Sequence, residues 1–93
     1  MVGAWRQTPS IPTVILYSRA GCPPCQQAKT LLRALRHDVP FTLMVRDVDR
    51  DEQARATYSD RVPVILINGQ DVRSDPLDET ALRRALKAAI ERT

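Results

Sequence analysis

The chain is poor in the residues that usually give a small protein away. Its 93 residues hold two cysteines, three glycines, one histidine, one tryptophan, two tyrosines and one phenylalanine. Two cysteines cannot staple a secreted miniature, which takes several bridges to replace a hydrophobic core. Two cysteines and one histidine also fall short of the four ligands of a self-contained zinc site. No apolar run approaches the ~18–20 residues needed to cross a bilayer, so a membrane span is excluded. The net charge is +3, but the 14 Lys and Arg residues are scattered singly or in pairs, with little aromatic interleaving. That is not the footprint of a nucleic-acid binder, and no nucleic-acid partner is expected. Residues 1–12 carry one Arg and no apolar centre, so they read as a short arm rather than a signal peptide. The expectation is a cytoplasmic monomer whose single domain spans residues 13–93.

What is present supports one thin but real core. Hydrophobic residues make up 43% and charged residues 27%, a globular balance rather than that of a disordered chain. Thr13–Ser18 (TVILYS) is a β-branched and aromatic run fit for a central strand. From Pro23 the period becomes helical, with Ala28, Leu31, Leu32 and Leu35 on one face, and Pro40 stops it. Phe41–Val48 reads as a second strand with alternating faces. A short helix follows from about Arg50 to Thr57, with Asp49 as its candidate cap. Val64–Ile67 (VILI) suits a buried strand. Asn68-Gly69 is a strong hairpin signal that returns the chain along Gln70–Arg73. A last helix opens at Asp75-Pro76-Leu77-Asp78 and buries Ala81, Leu82, Ala85, Leu86, Ala89 and Ile90. The order is β-α-β-α-β-β-α, an α/β fold with a four-stranded mixed sheet and helices on both faces.

The two cysteines stand as Cys22-Pro23-Pro24-Cys25 on the turn from the first strand into the first helix. Cys22 is thereby placed at a helix amino end, where unpaired N–H groups and the helix dipole favour negative charge. A thiol there falls from about 8.5 to between about 3.5 and 7.5, so it is a ready nucleophile. Arg19, three residues before, adds positive charge. Cys25 sits one turn in, with its side chain directed back toward the helix start, so the two sulfurs can meet. Prolines suit the spacer because first-turn N–H groups lack helical partners anyway. The chemistry that follows is thiolate attack by Cys22 and resolution of the mixed disulfide by Cys25. A metal site would need a second chain, and His37, near the end of the first helix, reads as a solvated terminal residue. Asp47-Val48-Asp49-Arg50-Asp51 imitates a calcium loop, but Glu52 and Tyr58 occupy its essential glycine and final acid positions.

A second element is Arg61-Val62-Pro63-Val64. Proline at the entry of a buried strand costs a ladder hydrogen bond. Beside the cysteines, a cis Val62-Pro63 bond is the better reading, leaving the Val62 backbone to pair with a substrate strand. Taken together, Tyr17-Ser18-Arg19-Ala20-Gly21-Cys22, the Cys-Pro-Pro-Cys pair, Tyr58, Arg61-Val62-Pro63-Val64 and the Asn-Gly hairpin resemble a glutaredoxin of the thioredoxin superfamily. The small bacterial dithiol glutaredoxin-like proteins are the nearest pattern, and the likeness covers about Thr13 to Glu91.

The resemblance implies a thioredoxin/glutaredoxin-like fold and thiol–disulfide oxidoreductase activity on protein disulfides or glutathione mixed disulfides. It implies Cys22 as nucleophile and Cys25 as resolving thiol, with Arg19, Pro24, Val62 and Pro63 at the substrate-binding surface. Pro24, Arg61 and Arg73-Ser74 depart from the residues usual in glutaredoxins. Arg61, Arg73, Ser74 and Asp75 are the candidate glutathione contacts. No cofactor or metal is expected beyond glutathione as a co-substrate. The implied partners are disulfide-containing client proteins, with glutathione or a thioredoxin-reductase-type flavoenzyme as electron donor. Two other readings stand beside this one. One is an iron–sulfur or zinc carrier bridging two chains through Cys22. The other is a thioredoxin-like adaptor without catalysis.

Overall fold

Strand β1 (Thr13–Ser18) lies at the centre of the sheet because its alternate residues can be buried on both sides. Val14 and Leu16 are fully buried on one face, while Ile15 and Tyr17 pack into a separate cluster on the other. In the computed structural model, which describes residues 11–72 and 78–91, the sheet order is β2-β1-β3-β4. Strand β2 (Thr42–Asp47) runs parallel to β1, with Thr13 opposite Thr42 and Ser18 opposite Asp47. Strand β3 (Val64–Ile67) runs antiparallel to β1, with Tyr17 opposite Val64. Strand β4 (Gln70–Asp71) closes the sheet as a short antiparallel edge. The mixed four-stranded sheet expected from the hairpin and crossover signals is what forms.

Three helices cover this sheet unequally. Helix α1 (Pro23–Leu35) and helix α3 (Glu79–Glu91) share one face, where Ala28, Leu32, Leu35, Leu82, Leu86 and Ala89 pack on Val14, Leu16, Ile65 and Ile67. Helix α2 (Glu52–Tyr58) covers the other, where Ala54 joins Tyr17, Val48, Val64 and Leu66. Arg83 ties α3 to the loop after α1 through Asp38 at 3.3 Å, and to its own first turn through Glu79 at 3.1 Å. The Asp78 carboxylate accepts from Thr80 N at 2.9 Å, which caps α3.

Several local expectations shift. The cap of α2 is Asp51, whose Oδ1 accepts from Gln53 N and Ala54 N at 3.0 and 3.2 Å; Asp49 has another role. Strand β2 does not alternate, because as an edge strand it leaves Met44 and Val45, on opposite faces, 38% and 40% exposed. Ala81, expected on the apolar face of α3, is exposed. The start of the last helix at Asp75-Pro76-Leu77 and the end of the last strand at Arg73 lie outside the described residues.

The hairpin turn works as its residues require. Asn68 and Gly69 both take positive φ, 51° and 83°, the conformation a tight two-residue turn demands. Asn68 also reaches back to the start of β1: its N donates to Thr13 O at 2.9 Å and its Oδ1 accepts from Thr13 N at 3.0 Å.

The topology positions the chemistry. β1 and β2 end, and β3 begins, at the same end of the sheet. The loop leaving β1, the loop leaving β2 and the segment entering β3 therefore converge there.

Candidate active site

The loop leaving β1 turns through Gly21, at φ 70°. A Cβ at Gly21 would meet nothing within 4 Å, so the backbone angle, not crowding, is what calls for glycine. That turn delivers Cys22 as the N-cap of α1, in extended backbone geometry. Pro23 and Pro24 fill the first two helical positions and are exposed, as residues without an N–H to satisfy can be. Cys22 Sγ accepts from Cys25 N at 3.2 Å, and the two cysteines are joined as a disulfide with Cα atoms 5.2 Å apart. Cys25 is fully buried and belongs to the core face of α1, whereas Cys22 is half-buried. An incoming sulfur can reach Cys22 and not Cys25. On reduction, the same N–H and the helix amino end favour Cys22 as thiolate.

The Val62-Pro63 peptide bond is cis, as the residue pattern predicts. Both residues are half-buried, and Val62 packs against the cluster of Tyr17, Val48, Ala54, Val64 and Leu66. Because Tyr17 pairs with Val64, this segment enters the sheet beside the point where β1 leaves it for Cys22.

Two of the three arginines expected at the site, Arg19 and Arg61, are engaged within the chain. Arg19 forks onto Asp49, with Nε to Oδ2 at 3.0 Å and Nη2 to Oδ1 at 3.1 Å. Its Nη1 donates to Ser59 O at 3.1 Å and its Nη2 to Ser59 Oγ at 2.6 Å. The hydrogen bond from Arg19 holds the Asp49 carboxyl below the usual carboxylate range, and Asp49 in turn raises the guanidinium. Arg61 donates from Nη1 to Asp71 Oδ2 at 3.1 Å and lies over the Tyr58 ring, 5.5 Å from its centroid. Tyr58 stacks on Tyr17 with ring centroids 4.8 Å apart. Asp49, Ser59 and Tyr58 thus brace the site, and local patterning assigned none of them a bracing role. Arg73, Ser74 and Asp75 lie outside the described residues.

Other features lie away from the cysteines. A hollow of about 260 Å³ between Tyr17, Tyr58 and the first turns of α2 includes neither cysteine in its lining. His37 lies past the far end of a 13-residue helix, so roughly 20 Å of helix separates it from Cys22 and the two cannot ligate one ion. No described helix is long and apolar enough to cross a membrane.

A bridged pair with one reachable and one buried sulfur, at the amino end of a helix, supports a thiol–disulfide redox role. The chain is similar to several known proteins. Among solved structures, Ne2328 from Nitrosomonas europaea superposes with a TM-score of 0.71 at 28% identity, covering 83% of this chain and 93% of its own. A mutant thioredoxin from Halobacterium salinarum gives 0.68 at 21% identity, over 85% of this chain and 74% of its own, which shows the shared fold. An uncharacterized protein of Mycobacterium tuberculosis, Rv0508, is 35% identical over 79 residues, covering 80% of this chain and 81% of its own. The model of the glutaredoxin-like domain (DUF836) matches residues 13–87. The chain belongs to this glutaredoxin-like family of the thioredoxin superfamily.

Proposed function

We propose that the protein is a thiol–disulfide oxidoreductase that reduces protein disulfides or protein–glutathione mixed disulfides in the cytoplasm. The observation that carries this reading is the asymmetry of the pair: Cys22 half-buried at the helix cap, Cys25 with no exposure at all. In the reduced protein, the Cys22 thiolate attacks the client disulfide, forming a mixed disulfide and expelling one client thiolate. Cys25 loses its proton and attacks Cys22 Sγ, which restores the internal bridge and releases the second client sulfur as thiolate. Two electrons pass to the client. The backbone of Val62, beside the cis-proline, would pair with the extended client segment that carries the disulfide.

The test is a turbidity assay of insulin-disulfide reduction driven by dithiothreitol. Cys22→Ser should abolish catalysis, whereas Cys25→Ser should retain a single exchange with a mixed-disulfide substrate. Full turnover by the Cys22→Ser protein would overturn the assignment of roles.

A further inference from the structure

Resting on the oxidoreductase reading above, we infer that Arg19 is a positioning residue for extended clients, acting through Ser59 to set where the Val62-Pro63 segment lies relative to Cys22. A client of the proposed kind is gripped at two points. Its sulfur bonds to Cys22, and its backbone lies along Val62. Those two points belong to loops far apart in sequence, so only tertiary contacts can fix the distance between them.

The sheet fixes that distance only in part. The last pair of the β1–β3 ladder at this end is Tyr17 with Val64. Beyond it, one chain runs on through Ser18 and Arg19 to Cys22, and the other arrives through Val62 and Pro63. Arg19 crosses between them. Its Nη1 donates to Ser59 O at 3.1 Å and its Nη2 to Ser59 Oγ at 2.6 Å. Ser59 opens the one-turn 3₁₀ helix Ser59–Arg61, which leads directly into Val62. Asp49 holds the other edge of the guanidinium, through Nε and Nη2 at 3.0 and 3.1 Å. Both edges of a planar group are thus held, which a point charge cannot reproduce. The short turn is seated on the sheet as well. Tyr58 stacks on Tyr17 with centroids 4.8 Å apart, and Arg61 reaches Asp71 at 3.1 Å. The segment before Val62 therefore forms one piece with the sheet, and Arg19 links that piece to the loop bearing Cys22.

The consequence is selective. A small disulfide needs Cys22 alone, so the placement of Val62 is immaterial to it. An extended client must satisfy both points at once, and an error of about 1 Å between them can cost up to about a hundredfold. Arg19 thus acts on which substrates are captured rather than on the exchange of sulfur itself. Arg19→Lys separates charge from geometry, because lysine keeps the cation and loses the fork. Ser59→Ala is the complementary change. It removes one of the two contacts to the turn before Val62 and leaves the Arg19–Asp49 fork in place.

The experiment mixes pre-reduced full-length chains with bis(2-hydroxyethyl) disulfide or with insulin. Acid quench, alkylation and mass analysis follow oxidation of the chain. Arg19→Lys should lose at least about tenfold more rate on insulin than on the small disulfide, and Ser59→Ala about threefold more. A merely structural role, which lowers the folded fraction, would reduce both rates in the same proportion and leave their ratio unmoved. An unchanged ratio in either folded variant, or a greater loss on the small disulfide, would overturn the inference. If Arg19→Lys does not fold, Ser59→Ala decides alone. The wild type separates the two readings. Oxidation by neither substrate removes the oxidoreductase reading and this inference with it. Oxidation by the small disulfide and not by insulin overturns this inference only.

Discussion

Arg19 and Asp49, thirty residues apart in sequence, form a two-pronged ion pair at 3.0 and 3.1 Å that ties the loop before Cys22 to the loop after β2. With Ser59 as a third point, the guanidinium joins the ends of β1, β2 and α2. Geometry of this kind needs arginine, since lysine offers a single point charge in place of a fork.

The pair has a definite pH signature. Asp49 titrates below its ordinary value of 3.8, chiefly through the hydrogen bond from Arg19. The unfolded chain therefore takes up this proton before the folded one does, and the stabilisation is complete above the ordinary value and lost as pH falls through the lowered one. Urea midpoints of the wild type and Asp49→Asn should differ by a constant amount from about pH 8 to about pH 5, and draw together as the pH falls below the ordinary carboxylate range. A gap that widens in acid would contradict the assignment.

Cys25→Ser should trap what the wild type releases. Without the buried resolving thiol, Cys22 keeps its client, and a stable adduct should be visible by mass spectrometry under non-reducing conditions. The adduct should disappear on adding dithiothreitol and should not form in Cys22→Ser.

Asn68 offers a test of the hairpin. Asn68→Ala removes the Oδ1 acceptor for Thr13 N and places alanine at φ 51°, costing about 1–3 kcal/mol in total. Asn68→Gly relieves the angle but not the lost bond, so its denaturation midpoint should lie between alanine and wild type.

In the main core, Leu86 has no exposed surface and faces the sheet from α3. Leu86→Ala should cost about 2–5 kcal/mol and lower Tm by roughly 10–30 °C. Against the 5–15 kcal/mol that typically holds a small domain, that is a large share. Ala81→Ser on the exposed side of the same helix should be nearly silent, within about 0.5 kcal/mol.

Much of this was legible beforehand because it is local. A β-branched run, a helical period and an Asn-Gly turn each act over a few residues, so β1, α1, β3 and the hairpin follow from neighbours in sequence. The Cys22 cap is equally short-range, whereas the cis-proline is legible only when Val62-Pro63 is set beside the distant cysteines. Arg19–Asp49, Arg19–Ser59 and Tyr17–Tyr58 are different: they join positions 30 to 41 apart, and only the sheet register brings them together. The misplaced cap of α2 belongs with these. Asp47, Asp49 and Asp51 are equivalent as local signals, and the choice of Asp51 frees Asp49 for an arginine on another loop. Met44 and Val45 likewise show their exposure only once β2 is known to be the edge.

One consequence of Cys22 serving as the N-cap concerns how the protein can be altered. The sulfur proposed to carry the exchange is also the atom that receives the Cys25 amide. Serine and alanine replacements are therefore not equivalent. A serine hydroxyl can take over the helix's orphan donor and silences only the chemistry, whereas alanine silences the chemistry and frays the first turn. Any comparison of the two separates reactivity from architecture at a single position.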